Sequence, residues 1–131
     1  MAILFHPKPG MLLICDFNTG FKPPEMVKKR PVVIVSHARG QVATVVPLST
    51  AEPIPIESHH YEMTPGSLPT SLRAKRCWAK CDMLSCVALW RLDRIMVGKH
   101  PRTGKRIYVS PQILTIDFEG IRRVLRSTLQ L

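Results

Sequence analysis

Five residues of this chain carry the side-chain types that phosphodiester chemistry requires: Arg30, Ser49, Thr50, Lys80 and Asp82. The cations can bind a phosphate and stabilise the charge that develops on it, the hydroxyls can hold a phosphate oxygen, and the carboxylate can move a proton. Each residue alone has a simpler interpretation, since a lysine and a nearby aspartate often form a weak surface pair, and hydroxyls often hydrogen-bond at strand ends. Together they indicate a site that binds and cleaves a phosphodiester.

Two apolar segments position three of these residues at strand ends. The segment 31–36, a predicted buried strand, directly follows Arg30, and a second predicted strand, 42–49, ends at Ser49 and is followed by Thr50. Reactive groups are commonly placed at the tips of rigid elements that face a groove. We therefore expect these two strand ends to border the site.

The other two residues belong to a segment, 76–83, in which apolar and polar side chains alternate. As a strand, this segment would turn its cysteines toward the core and place Arg76, Trp78, Lys80 and Asp82 together on the opposite face. The pattern predicts that Lys80 and Asp82 act side by side. The indole of Trp78 could stack on a base or pack beside them.

Elsewhere the sequence predicts short strands, long loops, a hairpin and one helix. Strands are predicted at 11–17 and 57–63, loops at 18–30 and 64–72, a hairpin at 91–97 and 105–109, and a helix at 115–129. Thr115 is the expected cap of this helix, Asp117 lies in its first turn, and Gly120 should cost about 1 kcal/mol relative to alanine. The expected fold is mainly β (α+β): one domain, 1–131, with a small curled antiparallel sheet and a C-terminal helix.

The charge of the chain favours a polyanionic or acidic partner. The net charge is +10 over 131 residues, and the basic residues are spread over several segments rather than gathered in a tail. No segment has the length of a membrane span, and the N-terminus lacks the pattern of a signal peptide. We therefore expect a cytoplasmic protein without a membrane partner.

The sequence gives no motif for a metal or an organic cofactor. The four cysteines do not form a Cys-x-x-Cys pair, and His59 and His60, being adjacent, are expected to point apart and so not to share one metal ion. Walker, Gly-x-Ser-x-Gly and His-Glu-x-x-His motifs are also missing from the sequence. We expect no cofactor, no metal site, and cysteines that are reduced and mostly buried.

The order of these features resembles the MazF/PemK family of toxin ribonucleases from bacterial type II toxin–antitoxin pairs. The resemblance is carried by Pro9-Gly10, a strand ending at Asp16, Arg30-Pro31, the run from Pro47 to Thr50, and Lys80-Cys81-Asp82. Glu25 matches a glutamate that family members often carry shortly before the arginine. Lys80 stands where PemK-like members have an arginine.

The resemblance implies an SH3-like small barrel that forms a homodimer, binds single-stranded RNA and is neutralised by an acidic antitoxin. It also implies RNA cleavage without a metal, in which the 2′-hydroxyl attacks the adjacent phosphorus and leaves a 2′,3′-cyclic phosphate and a 5′-hydroxyl. In this scheme Asp82 is the base, and Arg30 stabilises the phosphorane or acts as the acid. Lys80 shares that work, and Ser49 or Thr50 holds a phosphate oxygen.

Further residues are expected to contact RNA. Lys28 and Lys29 would extend a basic groove from the catalytic arginine, while His59 and His60 are additional candidates for proton transfer; the complete RNA-binding set is Glu25, Lys28, Lys29, His59, His60 and Trp78. Two other functions stay open at this point. One is an SH3-like module that binds RNA without cutting it, and the other is a CcdB-type gyrase inhibitor, which the absence of a tryptophan in the C-terminal STLQL disfavours.

Overall fold

The computed structural model describes residues 3–18, 20–24, 28–73 and 75–131. Within these residues the strands are β1 (Leu12–Asp16), β2 (Lys29–Ile34), β3 (Val42–Ser49), β4 (His60–Glu62), β5 (Trp78–Lys80), β6 (Ser85–Ala88), β7 (Leu92–Asp93), β8 (Ile95–Lys99) and β9 (Arg106–Val109). The α-helices are α1 (Thr70–Arg73) and α2 (Thr115–Thr128), and three 3-10 turns are formed by Pro65–Ser67, Cys81–Met83 and Leu89–Arg91. The prediction of a mainly β fold with a C-terminal helix is confirmed.

The strands pair antiparallel throughout, and β3 is central to the main sheet. The order is β4-β5-β3-β2-β1-β7, β6 also pairs with β3, and β8 and β9 form a separate hairpin. On the edge of β3 that does not face β2, the first half of the strand pairs with β6 and its last two residues pair with β5. The end of β3 therefore lies between β2 and β5. Closure into an SH3-like barrel stays a prediction.

Both faces of the main sheet are buried, which explains the unbroken apolar runs in β2 and β3. Val33 and Val46 lie in one buried cluster, together with Ile121 of α2. Val32 and Val45, which point to the opposite face, lie in a second buried cluster. A strand covered on both sides needs apolar residues at every position, so alternation disappears from its sequence.

Helix α2 is joined to the sheet through Asp117, whose side chain is shielded from solvent. Its Oδ1 accepts hydrogen bonds from the Tyr61 hydroxyl and from Thr64 Oγ1, each at 2.8 Å. Its Oδ2 accepts the Thr64 N–H at 3.0 Å and the Ser67 hydroxyl. Burial and the bond to Asp117 raise the pKa of Tyr61 to about 12. One carboxylate thus anchors the helix to β4 and to the turn that follows it.

Two details of α2 differ from the sequence expectation. Leu114 is the N-cap, with Thr115 as the first helical residue, and the Leu114 N–H donates to the Ser67 hydroxyl at 2.9 Å. Gly120 faces the ring of Tyr61, and a Cβ at this position would lie 2.3 Å from a ring carbon. The close approach of that ring explains a glycine that intrinsic helix propensity alone would not favour.

Several segments depart from the predicted secondary structure. Strand β2 begins and ends two residues earlier than predicted, at Lys29 and Ile34, so Arg30 lies within the strand rather than before it. The predicted loop 64–72 contains one 3-10 turn and part of α1, and the segment at 85–88, for which no strand was expected, is β6. The predicted strand at 76–83 ends at Lys80, because Cys81–Met83 forms a 3-10 turn. The sequence predicted that strand alternation places Lys80 and Asp82 on one face. That prediction is wrong, because the strand ends before Asp82.

All four cysteines are free thiols, as predicted. Cys15, Cys77 and Cys81 are buried, whereas Cys86 is exposed. Burial raises the pKa of Cys15 and of Cys81 to about 12, and that of Cys77 to about 11. Within the part of the chain that the structure describes, no helix combines the length and apolar character needed to cross a bilayer.

Candidate active site

Arg30 and Ser49 lie on the same face of the sheet, on neighbouring strands. The β2–β3 register pairs Val32 with Pro47, and strand alternation turns Arg30 and Ser49, each two residues farther along, to the same face as that pair. Arg30 is half-buried, and its Nε is a buried donor with no hydrogen-bond partner among the described residues. Such a donor is costly to leave unpaired, so it favours an incoming anion.

The two hydroxyl residues at the end of β3 have different environments. Ser49 is 5% exposed, and its Oγ accepts the Ala51 N–H at 3.2 Å. This is the local strand-end bond expected of a serine without a catalytic role. Thr50 is exposed immediately after the strand. Thr50 is therefore the hydroxyl that a phosphate can reach without rearrangement.

Trp78 lies opposite Ser49 across the β3–β5 pair, but it does not offer an open ring. The side chain is 3% exposed, and the Arg76 guanidinium lies 4.9 Å from the ring centroid. Arg76 is held in place by hydrogen bonds to Glu62 at 2.8 and 2.9 Å and to Glu52 at 2.9 Å. The expectation that Trp78 shares an exposed face with Lys80 is wrong, because Arg76 covers the indole.

A second row of functional side chains lies beside the first. The β4–β5 register pairs His60 with Lys80. His59 Nε2 lies 3.4 Å from Asp82 Oδ2, and the rings of His59 and His60 have their centroids 4.1 Å apart. The 3-10 turn thus moves Asp82 out of strand alternation, yet contact with His59 keeps it beside the row. The histidines, which were secondary candidates in the sequence, lie at the centre of this group.

A turn brings the adjacent histidines together. The His60 N–H donates to the Glu57 carbonyl at 3.1 Å, which closes a turn over residues 57–60. The sequence argument that adjacent histidines point apart assumed an extended chain, and it is wrong here. His59, His60 and Asp82 each offer a ligand atom, and these atoms lie within 4.8 Å of one another. The directions of the two histidine side chains therefore do not exclude a metal site at this group.

His60 is held as a neutral hydrogen-bond donor. Burial lowers its pKa, and the neighbouring His59 lowers it further, which outweighs the opposing effect of Asp82. His60 Nδ1 accepts the Glu57 N–H at 3.0 Å, so the proton of the neutral ring is on Nε2. Glu57 also lies near His59, with Oε2 at 3.6 Å from Nδ1. No spacing in the sequence pointed to Glu57, whose effect depends on a turn. Alternation over 76–83 does place Arg76 on the face of Trp78, but its bonds to Glu62 and Glu52 depend on the fold.

The basic residues before the strand do not line one groove. Lys29 is opposite Asp16 and Arg30 is opposite Cys15 in the β1–β2 register, so the two cations point to opposite faces of the sheet. Lys28 is exposed, in a left-handed conformation with φ 74°. The predicted groove shared by these three cations is therefore not formed. Glu25 lies outside the described residues.

Comparison with known proteins gives consistent matches. A sequence model of the PemK-like, MazF-like toxins of type II toxin–antitoxin systems matches residues 8–106. The Escherichia coli (strain K12) protein YifN, described as uncharacterized, is 32% identical over 115 residues, covering 72% of this chain and 76% of YifN.

Solved structures share the fold. MazF from Deinococcus radiodurans superposes with a TM-score of 0.64 at 16% identity, covering 97% of this chain and 99% of that protein. An endoribonuclease from a mycobacterial species, solved in complex with its cognate antitoxin, gives a TM-score of 0.62 at 16% identity, with 95% and 96% covered. At this identity the likeness supports the fold alone.

Proposed function

This chain belongs to the family of PemK-like, MazF-like toxins of type II toxin–antitoxin systems, and we propose that it is an endoribonuclease that cuts single-stranded RNA without a metal. The observation that carries the proposal is that strand register places two features on one face of the sheet: a half-buried guanidinium, whose Nε has no partner among the described residues, and a row of proton-carrying side chains. Arg30 supplies the former, and His60 with Lys80 supplies the latter. Asp82 borders this row through His59.

Phosphate binding is the task of Arg30 and the end of β3. The scissile phosphate binds Nε of Arg30, which has no acceptor among the described residues and gains a charged one. The exposed hydroxyl of Thr50 donates to a second phosphate oxygen, while Ser49 supports the backbone turn. Because negative charge grows on the phosphate oxygens as the phosphorane forms, a fixed cation stabilises the transition state more than the ground state.

Proton transfer is assigned to the second row. The substrate 2′-hydroxyl gives its proton to Asp82, whose side chain is 44% exposed, and attacks the phosphorus. A bond forms between O2′ and phosphorus, and the bond from phosphorus to O5′ breaks. The leaving O5′ takes a proton from Lys80 or Arg30. The Nε2–H of His60 donates a hydrogen bond to a phosphate oxygen. The products are a 2′,3′-cyclic phosphate and a 5′-hydroxyl.

We also propose the partners that this family implies: a homodimer in the cytoplasm, bound and neutralised by an acidic antitoxin. The net charge of +10 favours association with an acidic segment that competes with RNA. Light scattering on the purified chain should give about twice the monomer mass of 14.8 kDa at micromolar concentration. A monomer under those conditions would contradict the homodimer.

Cleavage is expected to require the ribose 2′-hydroxyl and to survive chelation. The substrate is a short single-stranded RNA that contains the mapped cut site, beside a twin with one deoxynucleotide at that site. The twin should bind with similar affinity, since phosphate contacts dominate binding, but it should not be cut. Activity on the RNA should be unchanged by EDTA, because the substrate supplies its own nucleophile.

Each opposite outcome has a specific meaning. Cleavage of the deoxy twin would exclude attack by the 2′-hydroxyl. Loss of activity in EDTA, with rescue by added Zn²⁺ or Mg²⁺, would point to a metal held by the group of His59, His60 and Asp82. Binding of both RNAs without cleavage of either would favour the non-catalytic RNA-binding module.

A further inference from the structure

A second groove lies on the opposite face of the β1–β2 hairpin from Arg30. It is a cavity of about 480 Å³ whose lining includes six cationic or aromatic side chains: Lys29, Trp90, Arg91, Arg94, Arg106 and Tyr108. We call it the Trp90 groove. The lining comes from four separate segments of the chain, which only the fold brings together. For that reason the sequence identified no residue of this groove except Lys29 as a candidate.

The aromatic side chains of the Trp90 groove are paired with arginines. The Arg91 guanidinium lies 4.6 Å from the centroid of the Trp90 ring and 4.9 Å from that of Phe21, and its Nη1 donates to the Asp16 carbonyl at 2.9 Å. The Arg94 guanidinium lies 4.8 Å from the Tyr108 ring. These contacts fix the orientation of the rings and cations before a ligand arrives.

Trp90 is the exposed element of this arrangement. Its side chain is 62% exposed, whereas the other tryptophan, Trp78, is 3% exposed. An exposed indole beside a guanidinium offers a flat apolar surface next to positive charge. This is the combination on which unpaired nucleic-acid bases stack, with the phosphates held by the cations.

The charges of the Trp90 groove favour a nucleotide over an acidic peptide. Four cations line it against two carboxylates, Asp16 and Asp93. A nucleotide can bind both the cations and the carboxylates of the groove, because its phosphate binds arginine and the amino groups of its base can donate to a carboxylate. An acidic peptide would bring more carboxylates toward these two and would leave the indole without a flat partner.

We propose that the Trp90 groove is a second binding subsite for single-stranded RNA, in which a base stacks on Trp90 and the adjoining phosphates bind Arg94 and Arg106. This inference rests on the proposed function, since it extends the path of the same substrate. Lys29 and Arg30 are consecutive in β2 and point to opposite faces. The two sites are therefore one residue apart along β2, close enough for one RNA strand to contact both.

The test measures RNA binding by the Trp90→Ala variant. The probe is a short labelled RNA of mixed sequence with 2′-O-methyl groups throughout, which cannot be cleaved by attack of a 2′-hydroxyl. Removal of the indole should raise Kd about 5- to 150-fold, as expected for the loss of one stacked base. Trp90→Phe should recover much of the affinity. Ile116→Ala is the matched control, because Ile116 on α2 is an apolar side chain that is 67% exposed and does not line the Trp90 groove; its Kd should stay within twofold.

Intrinsic fluorescence supplies a second readout. Stacking of a base should quench the emission of the exposed Trp90 in the wild type, and the quenching should disappear in Trp90→Phe. Equal binding of the probe by the wild type and by Trp90→Ala, without quenching, would overturn this subsite. The proposed ribonuclease function would stand. A wild type that neither binds nor cleaves RNA would overturn both. Selective loss of binding to a labelled polyglutamate peptide in Trp90→Ala would assign the groove to an acidic protein partner instead.

Discussion

Replacement of Arg30 by alanine is expected to lower the single-turnover rate of RNA cleavage by about 10²- to 10³-fold, the effect usually seen when one preorganised donor to a developing oxyanion is lost. Stability should change little, because the buried Nε of Arg30 has no partner among the described residues whose bond would be broken. Arg30→Lys should recover only part of the rate, since lysine keeps the charge but loses the planar fork and the Nε donor.

The control for Arg30→Ala is Arg102→Ala. Arg102 is exposed in the loop between β8 and β9, so its removal lowers the net charge equally without touching the site. Its cleavage rate should stay near wild type at moderate salt. Equal losses in the two variants would show that Arg30 acts only through bulk charge. A fully active Arg30→Ala protein would remove Arg30 from the mechanism.

Asp117→Ala should have the largest effect on stability, with a loss of about 3 kcal/mol in the free energy of unfolding. The carboxylate accepts four hydrogen bonds from Tyr61, Thr64 and Ser67 inside the junction between α2 and β4. Its removal leaves the buried Ser67 hydroxyl and three part-buried donors unpaired, and a buried unpaired donor costs about 1–3 kcal/mol unless water reaches it. Urea denaturation should show a lower midpoint with an unchanged slope.

Glu119→Ala is the matched control for this prediction. Glu119 is exposed on the same helix, two residues farther along, so its removal deletes an equal charge without opening the junction. Its unfolding free energy should stay within about 0.5 kcal/mol of wild type. If Asp117→Ala were as stable as Glu119→Ala, the buried network would contribute nothing net. Asp117→Asn should fall between the two, because an amide keeps one acceptor but turns a donor toward Thr64 and Ser67.

The sequence predicts the strands of this fold well where burial is two-sided. The segment 42–49 matches β3 in both bounds, and the helix predicted at 115–129 matches α2 to within one residue at its end. Apolar runs and helical periodicity result from burial that involves many neighbours at once, so they survive local irregularities. Once the antiparallel register of β2 and β3 is known, alternation along these strands places Arg30 and Ser49 on the same face of the sheet.

The sequence fails where a single turn redirects a side chain. Asp82 leaves the strand because of a 3-10 turn, and the rings of His59 and His60 approach each other because a turn precedes β4. Alternation in the sequence assumes an extended backbone, which one turn is enough to break. The burial of Trp78 depends on Arg76 and two distant glutamates, a contact that no local pattern encodes.

The environments of the four cysteines determine how oxidants damage this protein. Cys86 is exposed and is open to alkylation and to sulfenic acid formation while the chain is folded. Cys15, Cys77 and Cys81 have no exposed surface, and they ionise only at strongly alkaline pH, so the thiolate that oxidants attack is scarce. Chemical modification of the interior must therefore wait for the sheet to open. The number of modified cysteines therefore distinguishes molecules that have unfolded from folded molecules that were exposed to an oxidant.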